Sequence, residues 1–147
     1  MILHLDEYAE CCTECCFYRL SEKAGFKLSF HKKDADYSWL HQRIAHHNGI
    51  APRVGSKVRK VDRYFGYCVE LVEIINASVE AKKLEELQEK FYKVFGFYHA
   101  DDHYDNIGIK EGKYLFIDFG RMMNKKTTFD YYNNKRFHFL RKEDVLI

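Results

Sequence analysis

"HADDHYDNIGIKEGKYLFIDFG", residues 99 to 120, packs two His, four Asp and one Asn into a stretch that ends on Asp-Phe-Gly. Its second half has the form of a hairpin. The apolar runs on either side of Glu111-Gly112 are joined by a two-residue polar pair, a signal for a tight turn. Asp101 and Asn106 precede the hairpin on a polar loop, and Asp118 follows it directly. The hairpin therefore returns Asp118 to the loop, and the three side chains can converge. A loop carboxylate can accept a hydroxyl proton and aim that hydroxyl at a phosphoryl group, while an Asn and a second carboxylate supply hard oxygen ligands for Mg²⁺. Phosphoryl transfer needs such convergence because it depends chiefly on positioning and charge neutralisation. A different chemistry competes for the same residues. His99, Asp101, Asp102 and His103 could ligate a hydrolytic metal, but His138 is the one later His, and Asn106 and Asp118 would then have no task.

Upstream of this stretch, residues 78 to 95 form the strongest expected helix. Leu84, Leu87, Phe91 and Val94 make an apolar stripe opposite charged residues, and Gly96 is a suitable stop. Residues 65 to 75, "FGYCVELVEII", read as a long, central strand. Residues 34 to 48 read as a helix capped by Asp34 and stopped by Asn48-Gly49, with Tyr37, Leu40 and Ile44 on one stripe. Residues 16 to 31 read as two strands around the polar turn "SEKAG"; Phe26, Leu28 and Phe30 alternate there with Lys27 and Ser29. Strands, helix, strands, helix, then loop and hairpin amount to an α+β arrangement.

The chain has 147 residues, of which 46% are hydrophobic and 16% aromatic, enough for one domain with a real core. No apolar run approaches the roughly 18 residues of a membrane span, and "MILHLDEYAE" lacks the features of a secretory signal, so a cytoplasmic location is expected, in a host cell if the source is viral. The net charge of +2 is uneven. Residues 121 to 147 hold seven Lys or Arg against three Asp or Glu, so that stretch is basic by four and the remainder acidic by two. A basic stretch of this kind is a solvated surface or meets an acidic partner; a nucleic-acid partner is not expected. Five cysteines, four of them in "CCTECC", are an odd number and speak against a disulfide framework. Cys12 and Cys15 have C-x-x-C spacing, but a zinc site would need a second ligand pair, for which Cys68, His4 and His31 are the candidates. Reduced thiols in or near a strand are the simpler reading.

In its motifs the chain resembles the protein-kinase-like superfamily. His99-Ala-Asp101-x-x-x-x-Asn106 matches the HRD-type catalytic loop with Ala100 in place of Arg, and Ile117-Asp118-Phe119-Gly120 matches the metal-binding motif. The run from Asp101 to Gly108 is similar to the aminoglycoside-phosphotransferase and phage-type branch. The resemblance covers roughly residues 16 to 120. It implies a reduced bilobal fold in a single domain, 1–147. An N-lobe and hinge, 1–72, would hold a small antiparallel sheet and one helix; a truncated helical C-lobe would span 73–147. It implies a phosphotransferase that uses ATP and Mg²⁺ to phosphorylate a hydroxyl, on a protein Ser or Thr. Asp101 would be the base, and Asn106 and Asp118 the metal ligands. Lys27 would bind the ATP phosphates with Asp36 as its helix acid, from the pattern Asp36-x-x-x-Leu40. Main-chain groups of Glu70, Leu71 and Val72 would meet the adenine. Two departures stand out: no Gly occurs before Gly25, so no glycine-rich loop covers the phosphates, and the 27 residues after Gly120 contain no A-P-E-like segment. A nucleotide-binding pseudokinase, or a viral interaction module without transfer activity, remains the alternative.

Overall fold

The computed structural model describes residues 9–11, 15–75, 79–100, 102 and 106–120. They form two antiparallel sheets and two helices, an α+β fold. The first sheet has five strands in the order β1-β2-β3-β5-β4. These are β1 (Ala9–Cys11), β2 (Cys15–Arg19), β3 (Ala24–Ser29), β4 (Arg59–Val61) and β5 (Tyr64–Glu70). Helix α1 (Lys32–His47) connects β3 to the segment leading to β4. The second sheet has the order β6-β7-β8, from Glu73–Ile74, Ile107–Lys110 and Lys113–Phe116, with α2 (Ala81–Phe95) between β6 and β7.

The alternation read around Lys27 sorts β3 into two faces. Phe26 and Leu28 are buried with Tyr18 in one cluster, and Val61, Tyr64 and Cys68 pack against it. Lys27 points the other way, between its register partners Phe17 and Tyr67. On that side Tyr67 joins Trp39, Val54 and Val69. The turn from β2 to β3 is closed by Ser21, whose Oγ accepts from the N–H groups of Lys23 and Ala24.

Helix α1 begins at Lys32, two residues before the expected start, and Asp34 sits in its first turn rather than at the cap. The simple stripe of Tyr37, Leu40 and Ile44 gives way to burial at Ala35, Tyr37, Trp39, His41, Gln42, Arg43 and Ala45. The cause is that α1 has two packing partners. Trp39 and Leu40 serve the five-stranded sheet, while Tyr37, Ile44 and Ala45 serve a larger core with α2, β7 and β8. That core centres on Leu87, Phe91, Phe95, Ile107, Phe116 and Phe119.

Residues 65 to 75 are not one strand. β5 ends at Glu70, and the chain leaves the first sheet at Leu71–Val72 to join the second at Glu73. The β7–β8 turn falls where expected: Glu111 (φ 52°) and Gly112 (φ 77°) both have positive φ, the requirement of a type I′ hairpin turn. Among the described residues, the part after Val72 is one helix on a three-stranded sheet, so it is less helical than the resemblance implied. Of the cysteine cluster, Cys11 and Cys16 are paired in register across β1 and β2, and Cys12 lies outside the described residues. No helix among the described residues is long and apolar enough to cross a membrane.

Candidate active site

The site forms around the peptide between Ile117 and Asp118. β7–β8 pairing sets Ile107 opposite Phe116, and one step further the Ile117 N–H donates to the Asn106 C=O at 3.1 Å. Asn106 and Asp118 are thereby neighbours at the open end of the hairpin. From the other sheet, Lys27 Nζ donates to the Ile117 C=O and to Gln42 Oε1, the latter at 3.1 Å. The Phe116 N–H donates to the Ile50 C=O at 2.9 Å, tying the same strand to the end of α1. Lys27, Asn106 and Asp118 are brought together by contacts to a single residue.

His99 holds the other half of the peptide. Its Nε2 lies 2.7 Å from the Asp118 carbonyl oxygen, which can only accept, so Nε2 carries the proton and donates. The ring is buried and stacks on Phe116 at 4.3 Å and 15°, with Phe91 edge-on at 5.2 Å. Gln88 of α2 clamps the His99 backbone, donating to its C=O at 3.0 Å and accepting from its N–H at 2.9 Å. Phe119 is fully buried in the core. Asp118 Oδ1 accepts from the Gly120 N–H at 3.0 Å, a local turn that sets the carboxylate's direction. His99 is thus a packing and positioning group, buried among Phe91, Phe116 and Phe119.

Asp101, the expected base, lies outside the described residues, as do His103 and Asp105. Asp102 is exposed and accepts from Gln88 Nε2 at 3.3 Å. Asp36 is not placed as expected. It pairs with Lys32 one turn back on the helix, and the α1 side chain that meets Lys27 is Gln42. Six helical residues separate the two, a rotation of about 240° that puts them on different faces.

Of the main-chain groups expected to meet the adenine, two N–H donors are engaged within the fold. The Glu70 N–H donates to the Arg53 C=O at 2.8 Å and the Leu71 N–H to the Lys23 C=O at 2.9 Å, so both donors are used within the fold. Partial burial works against ionising Glu70. The hydrogen bond from Lys110 (2.7 Å), the Arg53 N–H and the Lys110 charge outweigh it and hold the carboxyl below its usual range. Val72 instead packs into the site's floor. A Cβ on Gly108 would lie 2.4 Å from Val72 Cγ2 and 3.0 Å from Ile117 Cγ2, so only a residue without a side chain permits this approach.

Sequence reasoning missed Gln42 and Gln88. Gln88 carried a signal: it lies between Leu84 and Phe91 on the apolar stripe of α2, where a polar side chain needs a partner. Gln42 carried none that sets it apart from the other polar residues of α1. Among the described residues no group of three or more His, Cys, Asp or Glu side chains could hold a metal ion. Asn106 with Asp118 is a two-oxygen set, which fits Mg²⁺ because that ion retains most of its waters and takes one or two protein ligands. Comparison with protein-family models, curated proteins and solved structures gives no match for this chain.

Proposed function

We propose that the protein is a reduced, kinase-like phosphotransferase that uses ATP and Mg²⁺. The observation that carries this reading is the double hold on the Ile117–Asp118 peptide, by Lys27 from the five-stranded sheet and His99 from the loop after α2. A cation reaches in from one sheet to the residue beside a carboxylate, and that carboxylate's own backbone is fixed from the other side. Transfer to a charged phosphate group needs this kind of preorganised charge.

In this reading Lys27 steadies the ATP phosphates, with Gln42 in the place assigned to Asp36. A neutral amide positions the ammonium by a hydrogen bond and leaves its charge for the phosphates. Asn106 and Asp118 hold Mg²⁺, which would neutralise charge on the phosphate oxygens. The adenine lies against the chain at Leu71–Val72, met through Val72 and carbonyl groups, since the Glu70 and Leu71 N–H groups are used elsewhere. Asp101 accepts the hydroxyl proton as the oxygen of a protein Ser or Thr bonds to the γ-phosphorus. The bond to the β-phosphate oxygen breaks and ADP leaves. The setting would be the cytoplasm.

A second reading, nucleotide binding without transfer, is favoured by one feature. In this reading β1 and β2 would take the place of a glycine-rich loop, yet residues 1 to 24 contain no Gly. Two measurements separate the readings. Mg·ATP raises the melting temperature of the intact protein, and Asp118→Ala removes the rise; no rise in the intact protein sinks both. Labelled phosphate then passes from ATP to a protein acceptor and is lost in Asp101→Ala. Binding with no transfer to any acceptor leaves the second reading.

A further inference from the structure

A cavity of about 610 Å³ opens where the end of α1, residues 53–56 and the end of β5 meet. It carries Lys23, Arg43, Arg53, His46 and His47, and Glu70 is the one carboxylate among its lining residues. With the candidate active site it shares Glu70 alone. That carboxylate is already neutralised, since Lys110 Nζ lies 2.7 Å from it and the Arg53 N–H 3.4 Å. The cavity is therefore positive even with both His neutral.

Arg43 is fixed at this wall. Its guanidinium lies over the Trp39 ring, 5.6 Å from the centroid, and Nη1 donates to the Gly55 C=O at 3.4 Å. The same carbonyl accepts from Trp39 Nε1 at 2.9 Å. Burial first, and then the like charge of Arg53, push the Arg43 pKa down. Two arginines lining one cavity repel each other through their charges, and a doubly charged oxyanion between them converts that repulsion into attraction. Guanidinium forks match phosphate oxygens in geometry as well as charge. The volume is within the roughly 300–1,000 Å³ of small-molecule sites. The remaining wall, with Val54, Cys68 and Val69, can take a compact organic body.

We propose that this cavity binds a phosphate dianion, with Arg43 and Arg53 on its oxygens and Lys23 and His46 at its edge. The site is separate from the ATP site and does not depend on it. Its source is either free phosphate or a phosphorylated small molecule.

The test is an ¹H–¹⁵N NMR titration with inorganic phosphate and with glucose 6-phosphate, against sodium chloride at matched ionic strength. Saturable shifts are expected at the amides of Val54, Gly55, Ser56, Val69 and Glu70. Tighter binding of the sugar phosphate assigns the source to a metabolite, and equal binding assigns it to the free ion. Arg53→Ala keeps the backbone contacts of residue 53 to Glu70 and is expected to weaken binding at least tenfold; Arg43→Met should do the same. Asp118→Asn should leave the titration unchanged. The proposal is overturned by shifts that chloride reproduces, by the absence of saturation with both phosphates, or by undiminished affinity in both Arg variants. A changed affinity in Asp118→Asn, a gain included, also overturns it, because it would place the anion beside that carboxylate in the active site.

Discussion

His41 ties the two packing partners of α1 together, and its titration offers a quantitative test of that contact. Its ring stacks on Tyr37 at 4.1 Å and on Phe95 of α2 at 5.5 Å, and Nδ1–H donates to the Tyr37 C=O at 2.8 Å. Burial outweighs the hydrogen bond and lowers the pKa from 6.5 to about 4. The folded state therefore binds its proton less readily than the unfolded state. Stability from this group is complete above pH 6.5 and is lost as pH falls toward 4. A tenfold difference in proton affinity between the two states corresponds to about 1.4 kcal/mol, and linkage over the window from pH 7.5 to 5.0 gives a loss of about 2 kcal/mol. That window stays above the carboxylate range, so Glu70, whose pKa is lowered, contributes little within it. His41→Phe keeps a ring between Tyr37 and Phe95 but cannot titrate. Urea unfolding at both pH values should show the wild type losing about 2 kcal/mol more than the variant. If the two lose stability in parallel, His41 is not buried against α2 as described, and the α1–α2 contact is wrong.

Three further perturbations act on the site itself. Gly108→Ala places a Cβ 2.4 Å from Val72 Cγ2 and should destabilise the protein by about 1–3 kcal/mol in urea unfolding; an unchanged midpoint would mean Val72 does not pack there. Gln88→Ala removes both hydrogen bonds to the His99 backbone and should cost about 1–3 kcal/mol, with faster amide exchange at His99 as the local readout. Lys27→Met should weaken Mg·ATP binding at least tenfold by calorimetry, whereas unaltered binding would remove Lys27 from the phosphate site.

What could be read from the residues was whatever a local pattern governs. The β7–β8 turn follows from Glu111-Gly112, and α2 from a single apolar stripe that faces a single core. Lys27 was legible because strand alternation isolates it between Phe26 and Leu28. The misreadings share a cause: two neighbours compete for one element. α1 packs on both sides; Asp36 pairs with Lys32 one turn back on its own helix, and Gln42, on another face, is an α1 side chain that accepts from Lys27. Residues 65 to 75 are largely apolar, broken only by Glu70 and Glu73, although they pass from one sheet to another, and hydrophobicity does not record which sheet receives it.

The described part of the candidate site bears on what the site would do first. The carbonyls of Ile117 and Asp118 are taken by Lys27 and His99, and the Ile117 N–H by Asn106. Gln88 fixes His99, and Phe116 and Phe119 anchor both ends of the segment in the core. The carboxylate of Asp118 is thus positioned by groups that are themselves packed, so its placement needs no rearrangement when a cation or phosphate arrives. Preorganisation lowers the cost of binding before it lowers a barrier. This described part is the one that would hold metal and phosphate. In the proposed function the acceptor's half would rest on Asp101, and among the described residues Gln88 bonds both His99 and Asp102. Loosening that clamp should therefore separate the two functions: Gln88→Ala should impair transfer more than nucleotide affinity. Equal losses in both would mean that the loop and the metal-binding segment move as one unit.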